Sequence, residues 1–454
     1  MKEEIMKKNS EIISRRAFIK GAAAAAAFTI VPRHVLGGTG FKPPSEKLNI
    51  ACIGVGNMGG YDVKNVASEN IVALCDVDER QAAQTYPKYP NVPKYRDFRV
   101  MLEKEAKNID AVTVSTPDHM HAVASMMAIK MGKHVYCQKP LSHDIYETRQ
   151  LTEAARNHNV VTQMGIQVHA TENVKILVEM IKAGMIGKIR EIHMWAASPI
   201  WPAEIDRPAD TPPVPKELDW DLWLGTAPER PYNPAYLPGV WRGWKDFGTG
   251  ALGDMGCHIF DPACWALDLR CPVSIEAYSS NFVRDFGKGP ITFENYPRAS
   301  ILRYEFAARG EMPPVTVYWY HGGLKPWRPE ELETGREMPV SGGLYIGETG
   351  KILAPHQAGP RLIPETKMKG FKKPEQILPR GFDHYQDWIG ACKGGPKPSA
   401  DFDYSGPLTE MVLLGNVSIL TGKKLLWDGP NLKITNVPEA NAFLQRQYRQ
   451  GWSL

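Results

Sequence analysis

Three glycines and one acid carry the first readable chemistry. Gly54-Val55-Gly56-Asn57-Met58-Gly59 is a G-x-G-x-x-G, and Asp76 lies 22 residues after Gly54. A bound dinucleotide needs a tight turn, a backbone that can approach its pyrophosphate, and an acid for its ribose hydroxyls. Gly54 suits the turn and Gly56 the approach, with Asn57 and Met58 beside it. Gly59 suits close packing of helix on strand. Asp76 suits the ribose, with a turn or capping role as the alternative, a duty Asp78 could share. A carboxylate at that place repels a 2′-phosphate, so NAD is favoured over NADP. Asp254 and His258 stand at i and i+4 and share a face if their segment is helical. An alcohol gives up hydride only if its hydroxyl proton also leaves, which calls for a base of near-neutral pKa. A lysine beside the oxygen stabilises the developing charge.

The elements that must position these residues alternate. Apolar runs at 48–55, 71–75, 109–115, 133–137 and 160–164 read as buried strands, with helices at 58–68, 117–131 and 145–157. That alternation predicts a Rossmann-type, doubly wound parallel sheet ending near residue 168. Ser115-Thr116-Pro117-Asp118-His119-Met120-His121 and Gln138-Lys139-Pro140-Leu141 each follow a strand, where loops face the ligand crevice. Gln167 and His169 close the sheet and read either as substrate contacts or as helix-start residues.

From about residue 188 the period changes to two. Runs at 188–195, 273–283, 298–306, 315–320, 343–346 and 351–353 predict an α+β domain with a largely antiparallel, open-faced sheet. Residues 199–247 are rich in proline and tryptophan and too long for a plain connector. Seven of the twelve tryptophans fall between Trp195 and Trp265. Aromatic faces suit sugar rings, although scaffold packing explains at least half of these side chains. Trp241-Arg242 and Trp244-Lys245 are the expected substrate contacts. Residues 359–379 read as surface loop, and 382–391 and 408–420 as helices returning toward the nucleotide domain.

Composition narrows the class. The chain has 454 residues, 43% hydrophobic and 23% charged, which excludes a largely disordered or fibrous protein. Residues 1–45 hold eight basic and three acidic side chains, a net of +5, leaving the remainder at −1 of the whole-chain +4. A basic stripe for nucleic acid is therefore not expected. Ser14-Arg15-Arg16-Ala17-Phe18-Ile19-Lys20, followed by an uncharged run over 21–31, resembles a twin-arginine export signal. That run is well short of the ~20 residues that span a bilayer, so no stable membrane span is expected. The reading is export by the twin-arginine translocase to the periplasm. The expected divisions are signal and linker over 1–45, NAD-binding domain over 46–168, substrate domain over 169–430 and tail over 431–454.

These motifs in combination resemble the Gfo/Idh/MocA oxidoreductases, from Leu48 to about Trp427: G-x-G-x-x-G, T-P-x-x-x-H, the K-P turn and D-x-x-x-H. The resemblance implies that Lys139, Asp254 and His258 are catalytic. His258 would take or give the hydroxyl proton, Lys139 would polarise the reacting oxygen, and Asp254 would bond a neighbouring hydroxyl. It implies cofactor contacts at Gly54, Gly56, Asn57, Met58, Gly59, Asp76, Ser115, Thr116, Pro117, His121, Gln138 and Lys139. Substrate would meet Lys139, Gln167, His169, Trp241, Arg242, Asp254 and His258. One departure stands out: the glutamate usual before the lysine is Gln138 here. His119, His121, His169, Asp254 and His258 are also of zinc-binding type, but members of the family generally need no metal and none is expected.

The leading expectation is an NAD-dependent oxidoreductase moving hydride between a secondary alcohol of a sugar, glycoside or cyclitol and a tightly held nicotinamide. Its rivals are a glycoside hydrolase or lyase that oxidises C3 transiently, and a non-catalytic sugar-binding protein. Homo-oligomerisation through an open sheet face is expected.

Overall fold

Short apolar runs become parallel strands where helices cover both faces of the sheet they form. The computed structural model describes residues 46–280, 294–381 and 383–454. The export-signal reading, on residues 1–45, and the last part of the 273–283 run lie outside them. Strands β1 (Asn49–Ile53), β2 (Asn70–Cys75), β3 (Lys94–Tyr95), β4 (Ala111–Val114), β5 (His134–Gln138) and β6 (Thr162–Gly165) form one parallel sheet in the order β3-β2-β1-β4-β5-β6. Every residue of β4 is buried, as expected of a strand covered on both faces. The helices are α1 (Asn57–Asn65), α2 (Glu79–Ala82), α3 (Phe98–Lys104), α4 (Asp118–Lys130) and α5 (Ile145–Asn157). A reciprocal capping box starts α5, where Asp144 and Glu147 each accept the other's backbone N–H. The strand order reverses between β1 and β4, which opens the crevice where such sheets bind ligands. Here α2, β3 and α3 fill residues 76–109, where the elements are too short to show a period in the sequence.

Helix α6 (Glu172–Lys182), with one strongly apolar face, leads into the second sheet. Its strands are β7 (Ile189–Trp195), β8 (Ser274–Ser279), β9 (Ser300–Phe306), β10 (Val315–His321), β11 (Gly342–Gly347), β12 (Lys351–Pro355), β13 (Arg361–Ile363), β14 (Leu425–Asp428) and β15 (Lys433–Ile434). They run β13-β12-β11-β7-β10-β9-β8-β14-β15. β7 and β10 pair parallel and the other neighbours antiparallel. The side chains of β9 alternate inward and outward, so one face meets a helical layer. That layer includes α8 (Gly250–Leu267), which follows the short α7 (Trp220–Leu224). Phe260 of α8 stacks on Trp319 at 5.4 Å and meets Tyr304 edge-on at 5.3 Å.

Helices α9 (His384–Cys392) and α10 (Phe402–Thr421) return to the nucleotide domain. Tyr385 of α9 stacks on Tyr136 of β5 at 5.1 Å. Glu410 of α10 pairs with Arg149 of α5 at 2.7 Å. Residues 48–454 form one compact unit. Two stretches differ from their sequence reading. Residues 359–379 contain β13, which extends the sheet beyond β12 instead of looping free. Residues 431–454 contribute β15 and then run back to the first domain, where Tyr146 N–H donates to the Leu444 carbonyl at 3.0 Å.

Candidate active site

The glycine turn has no room for side chains. Gly54 has φ +74°, and a Cβ there would stand 2.6 Å from the Ser115 carbonyl oxygen. A Cβ on Gly59 would lie 2.1 Å from the Gly54 carbonyl, so helix and turn touch only because residue 59 is glycine. A Cβ on Gly56 would lie 2.6 Å from that of Gln81. Gly56 caps α1, whose first N–H groups have no intrahelical partner and favour an anion. Asn57 bonds Gln81 at 2.8 Å, and Met58 is exposed beside it. Asp76 follows β2 and accepts from the Val55 and Asp78 N–H groups, each at 2.9 Å. Burial pushes its carboxyl up to about 6 against those bonds, which leaves it mostly ionised at pH 7.

Above this cradle lies a cavity of about 520 Å³, the size range of small-molecule and cofactor sites. Gly54, Gly56, Asn57, Met58, Asp76, Ser115, Thr116, Pro117, His121, Gln138, Lys139, Gln167, Trp241, Arg242 and His258 all line it. The loops after β1, β2 and β3 therefore form one half of a continuous wall, and those after β4 and β5 the other.

The chemistry gathers at the β5 end. Lys139 donates to the Asp254 carboxylate at 2.8 Å and to its backbone carbonyl at 2.5 Å. Arg242 reaches the same carboxylate oxygen at 3.1 Å, its guanidinium 4.3 Å above the Trp241 ring. Burial alone would raise the Asp254 carboxyl, but Lys139 and Arg242 override it and hold it at about 2. His258 stands one turn further along α8. Burial, with positive Lys139 and neighbouring His356, keeps its imidazole well below its ordinary range, so the ring is neutral at pH 7 but a weaker base here than the near-neutral one the chemistry calls for. Its Nδ1 is buried without a protein partner. His356 follows β12, its ring 5.8 Å from that of His258. Gly250 and Gly253 let α8 start in this crowded place: Cβ atoms there would stand 2.7 Å from Tyr296 and 1.8 Å from Thr249.

Gln138 explains its own departure from glutamate. Its amide donates to both oxygens of Asp62, each at 2.9 Å. Asp62 is fully buried on α1 and also accepts from Ser115 and Tyr385 hydroxyls, both at 2.6 Å. Burial pushes it up to about 6 although these donors oppose the rise. A glutamate at 138 would set a second carboxylate against the first. Gln167 bonds the hydroxyls of Tyr136 and Tyr385 at 3.1 and 3.3 Å and so joins the same network.

Other residues fall elsewhere. His121 faces two backbone carbonyls, Pro140 at 2.7 Å and Thr116 at 2.8 Å, which only accept and so favour the charged ring. Burial opposes that charge, yet Cys137, Asp118 and the Pro140 carbonyl carry its pKa to about 9. His119 spends both nitrogens on the Phe247 and Trp223 carbonyls. His169 does not reach the pocket. It is fully buried, bonded to Asp261 at 2.8 Å and stacked on Trp265 at 3.9 Å. Its place after the sheet looked like a substrate contact because Asp261, its partner, is far along the chain. Trp244 and Lys245 also miss the pocket; Trp244 is core, its indole N–H on the Ala235 carbonyl at 3.0 Å. The pocket adds residues that had no role in the sequence reading, among them Asp118, Phe98 and Trp452.

The cradle fits a dinucleotide on its own evidence. Added Cβ atoms would clash at all three motif glycines, and Thr116 Oγ1 is a buried hydroxyl without a protein partner. Fold and cradle together define a Rossmann-type dinucleotide-binding protein. Residues 48–166 match the family model described as "Oxidoreductase family, NAD-binding Rossmann fold", and residues 171–286 its partner, "Oxidoreductase family, C-terminal alpha/beta domain". The chain belongs to the Gfo/Idh/MocA oxidoreductase family. It is 23% identical over 234 residues to levoglucosan dehydrogenase of Pseudarthrobacter phenanthrenivorans, covering 48% of this chain and 50% of that one. It is 26% identical over 241 residues to D-glucoside 3-dehydrogenase of Escherichia coli, covering 52% and 58%. The chain thus spans about half the length of the curated relatives it matches. The WlbA dehydrogenase from Bordetella pertussis, solved with NADH and UDP-GlcNAcA, shares the fold with a TM-score of 0.57 at 15% identity, over 84% of this chain and 99% of that one. Among the described residues no helix is long and apolar enough to cross a membrane.

Proposed function

We propose that this protein moves hydride between a secondary alcohol of a sugar, glycoside or cyclitol and a tightly held NAD. The observation that carries the reading is the Lys139–Asp254–Arg242 cluster beside neutral His258, at one end of a dinucleotide-sized pocket. NAD, when bound, supplies the hydride acceptor. Gly54, Gly56, Asn57, Met58 and Asp76 hold its nucleotide half, and Ser115, Thr116, Pro117 and His121 border the other. Lys139 holds the reacting oxygen, and His258 takes its proton. Asp254, ionised far below neutral pH, accepts from a neighbouring hydroxyl and keeps Lys139 in place. Trp241 and Arg242 offer an aromatic face and a donor to a cyclic polyol, the kind of compound for which two of the relatives are named.

Ser14-Arg15-Arg16-Ala17-Phe18-Ile19-Lys20 supports export of the folded, loaded protein through the twin-arginine route to the periplasm. A cofactor carried through export must stay bound. The test is to denature purified protein, assay the released NAD(H), and incubate the native protein with a glycoside panel. Absorbance of reduced nicotinamide rising together with an oxidised product mass is the expected result. Released NAD(H) with no oxidised product, or cleavage with no net reduction, would overturn the reading.

A further inference from the structure

A dinucleotide seated on the β1–α1 turn fans out to both sides of it. One half faces β4 and β5, ending at Lys139. The other faces Asp76 after β2 and then Asp97 and Phe98 after β3, since Cys75 pairs with Tyr95. That second end is the adenosine end, and two segments from outside the first domain close over it. Residues 217–219 bond to 77–79: Glu79 N–H donates to Glu217 at 3.1 Å, and Asp219 N–H to Val77 at 2.9 Å. The other segment holds Trp452. Its ring lies 6.1 Å from Phe98, with the Arg99 guanidinium 4.2 Å above it, and it lines the pocket.

The segment that carries Trp452 is tied down on both sides of the crevice. Arg446 donates to Glu147 at 2.8 Å, to the His119 carbonyl at 2.7 Å and to the Thr226 hydroxyl at 2.8 Å. Arg449 donates to the Gly225 and Asp221 carbonyls at 3.1 and 2.8 Å and pairs with the Asp221 carboxylate. Lys130 reaches the Leu454 carbonyl at 3.1 Å. Glu147 and His119 belong to the first domain, Asp221 to α7 and Thr226 to the turn after it. Neither family model reaches the segment that carries Arg446, Arg449 and Trp452, which lies beyond 286.

We propose that residues 445–454 form a strap that closes the adenosine end of the pocket through Trp452 and retains the dinucleotide between turnovers. The proposal rests on the dinucleotide reading of the cradle, and deepens it: the fold holds NAD with a part outside the nucleotide-binding domain. With Arg99 over one face, the rest of the ring borders the pocket, and loss of an aromatic contact to a base typically weakens binding roughly tenfold to a hundredfold.

The test follows release, not catalysis. Full-length protein is loaded with NADH, and dissociation into excess NAD is timed by loss of bound-NADH fluorescence. Trp452→Ala should release NADH at least about tenfold faster, and Trp452→Phe should restore most of the retention. Hydrogen exchange on the parent protein gives a second measurement that needs no variant: added NAD should protect the amides of 445–454. Unchanged release by Trp452→Ala overturns the strap alone, as does unchanged exchange in that segment. A parent protein that binds no nicotinamide dinucleotide overturns the dinucleotide reading and the strap with it.

Discussion

Two carboxylates stand one residue behind the pocket wall, Asp62 bonded to Gln138 and Asp254 to Lys139, and they titrate in opposite directions. Asp62, beneath the glycine turn, is pushed up to about 6. Asp254, beside Lys139 and Arg242, is held at about 2. Both lose water, so burial pushes both upward. The neighbours decide the outcome. Asp62 bonds hydroxyl and amide donors from Ser115, Tyr385 and Gln138, which carry no net charge, and charged His121 acts on it only as the weakest of the opposing influences. Asp254 meets Lys139 and Arg242, which do. Neutral hydrogen bonds satisfy a buried carboxylate without fixing its charge, whereas a paired cation fixes it. One region can therefore serve as a neutralisable brace, and the other as a permanently charged anchor for Lys139.

The contrast breaks first at the catalytic end. His258→Ala removes the proton acceptor there and should slow the hydride step about 10²- to 10⁴-fold in single-turnover nicotinamide absorbance, with NADH binding preserved. A loss smaller than about tenfold would remove His258 from proton transfer. Lys139→Met comes next, at about 10²- to 10³-fold. It also tests the electrostatics directly. With the lysine gone, burial is opposed by Arg242 with less help, and the Asp254 carboxyl should rise from about 2, read by carbon-detected NMR titration. A carboxyl that stays put would mean that Arg242 alone sets it.

At the other carboxylate the informative change adds a charge. Gln138→Glu places two carboxylates in one buried site, where only one can ionise cheaply. Urea unfolding at pH 8 should show a loss of about 2 kcal/mol, and adding Asp62→Asn should recover most of it. If Gln138→Glu costs the same with Asn at 62, the charge conflict is not the reason for the glutamine.

The same contrast marks how far the sequence could be read. The cradle lies in one short stretch, and its glycines, strand ends and Asp76 follow from a local spacing whose sterics the structure shows. Five of six strands in the first sheet were legible because each is an apolar run long enough to stand out, while two-residue β3 and four-residue α2 were not. Lys139 and Asp254 are 115 residues apart, and no period in the chain joins them; only resemblance to a family did. Asp62 carried no signal, since a buried acid on α1 reads like any polar helix residue until Tyr385 arrives from 323 positions away. His169 failed for the same reason in reverse, its partner Asp261 turning it into the core. Trp452 lay in a stretch read as tail, because what it touches belongs to α3.

The smallest expected effect concerns Asp62 and pH. Its folded-state pKa of about 6 lies above the ordinary 3.8 it regains on unfolding. Between these values the folded protein keeps a proton that the unfolded chain has released, so the stabilisation is complete below about pH 4 and is lost as pH rises through 6. From pH 5 to pH 7 the loss is about 1 kcal/mol. Asn at 62 keeps an acceptor for Ser115 and Tyr385 but has no proton to lose. Unfolding free energies of the parent and Asp62→Asn at pH 5, 6 and 7, at equal cofactor loading, isolate the contribution from that of other acids. The parent should lose about 1 kcal/mol more than the variant across that range. A difference of the opposite sign would place Asp62 below the ordinary carboxylate range, and would mean that neutral donors can fix a buried charge as firmly as Lys139 and Arg242 fix Asp254.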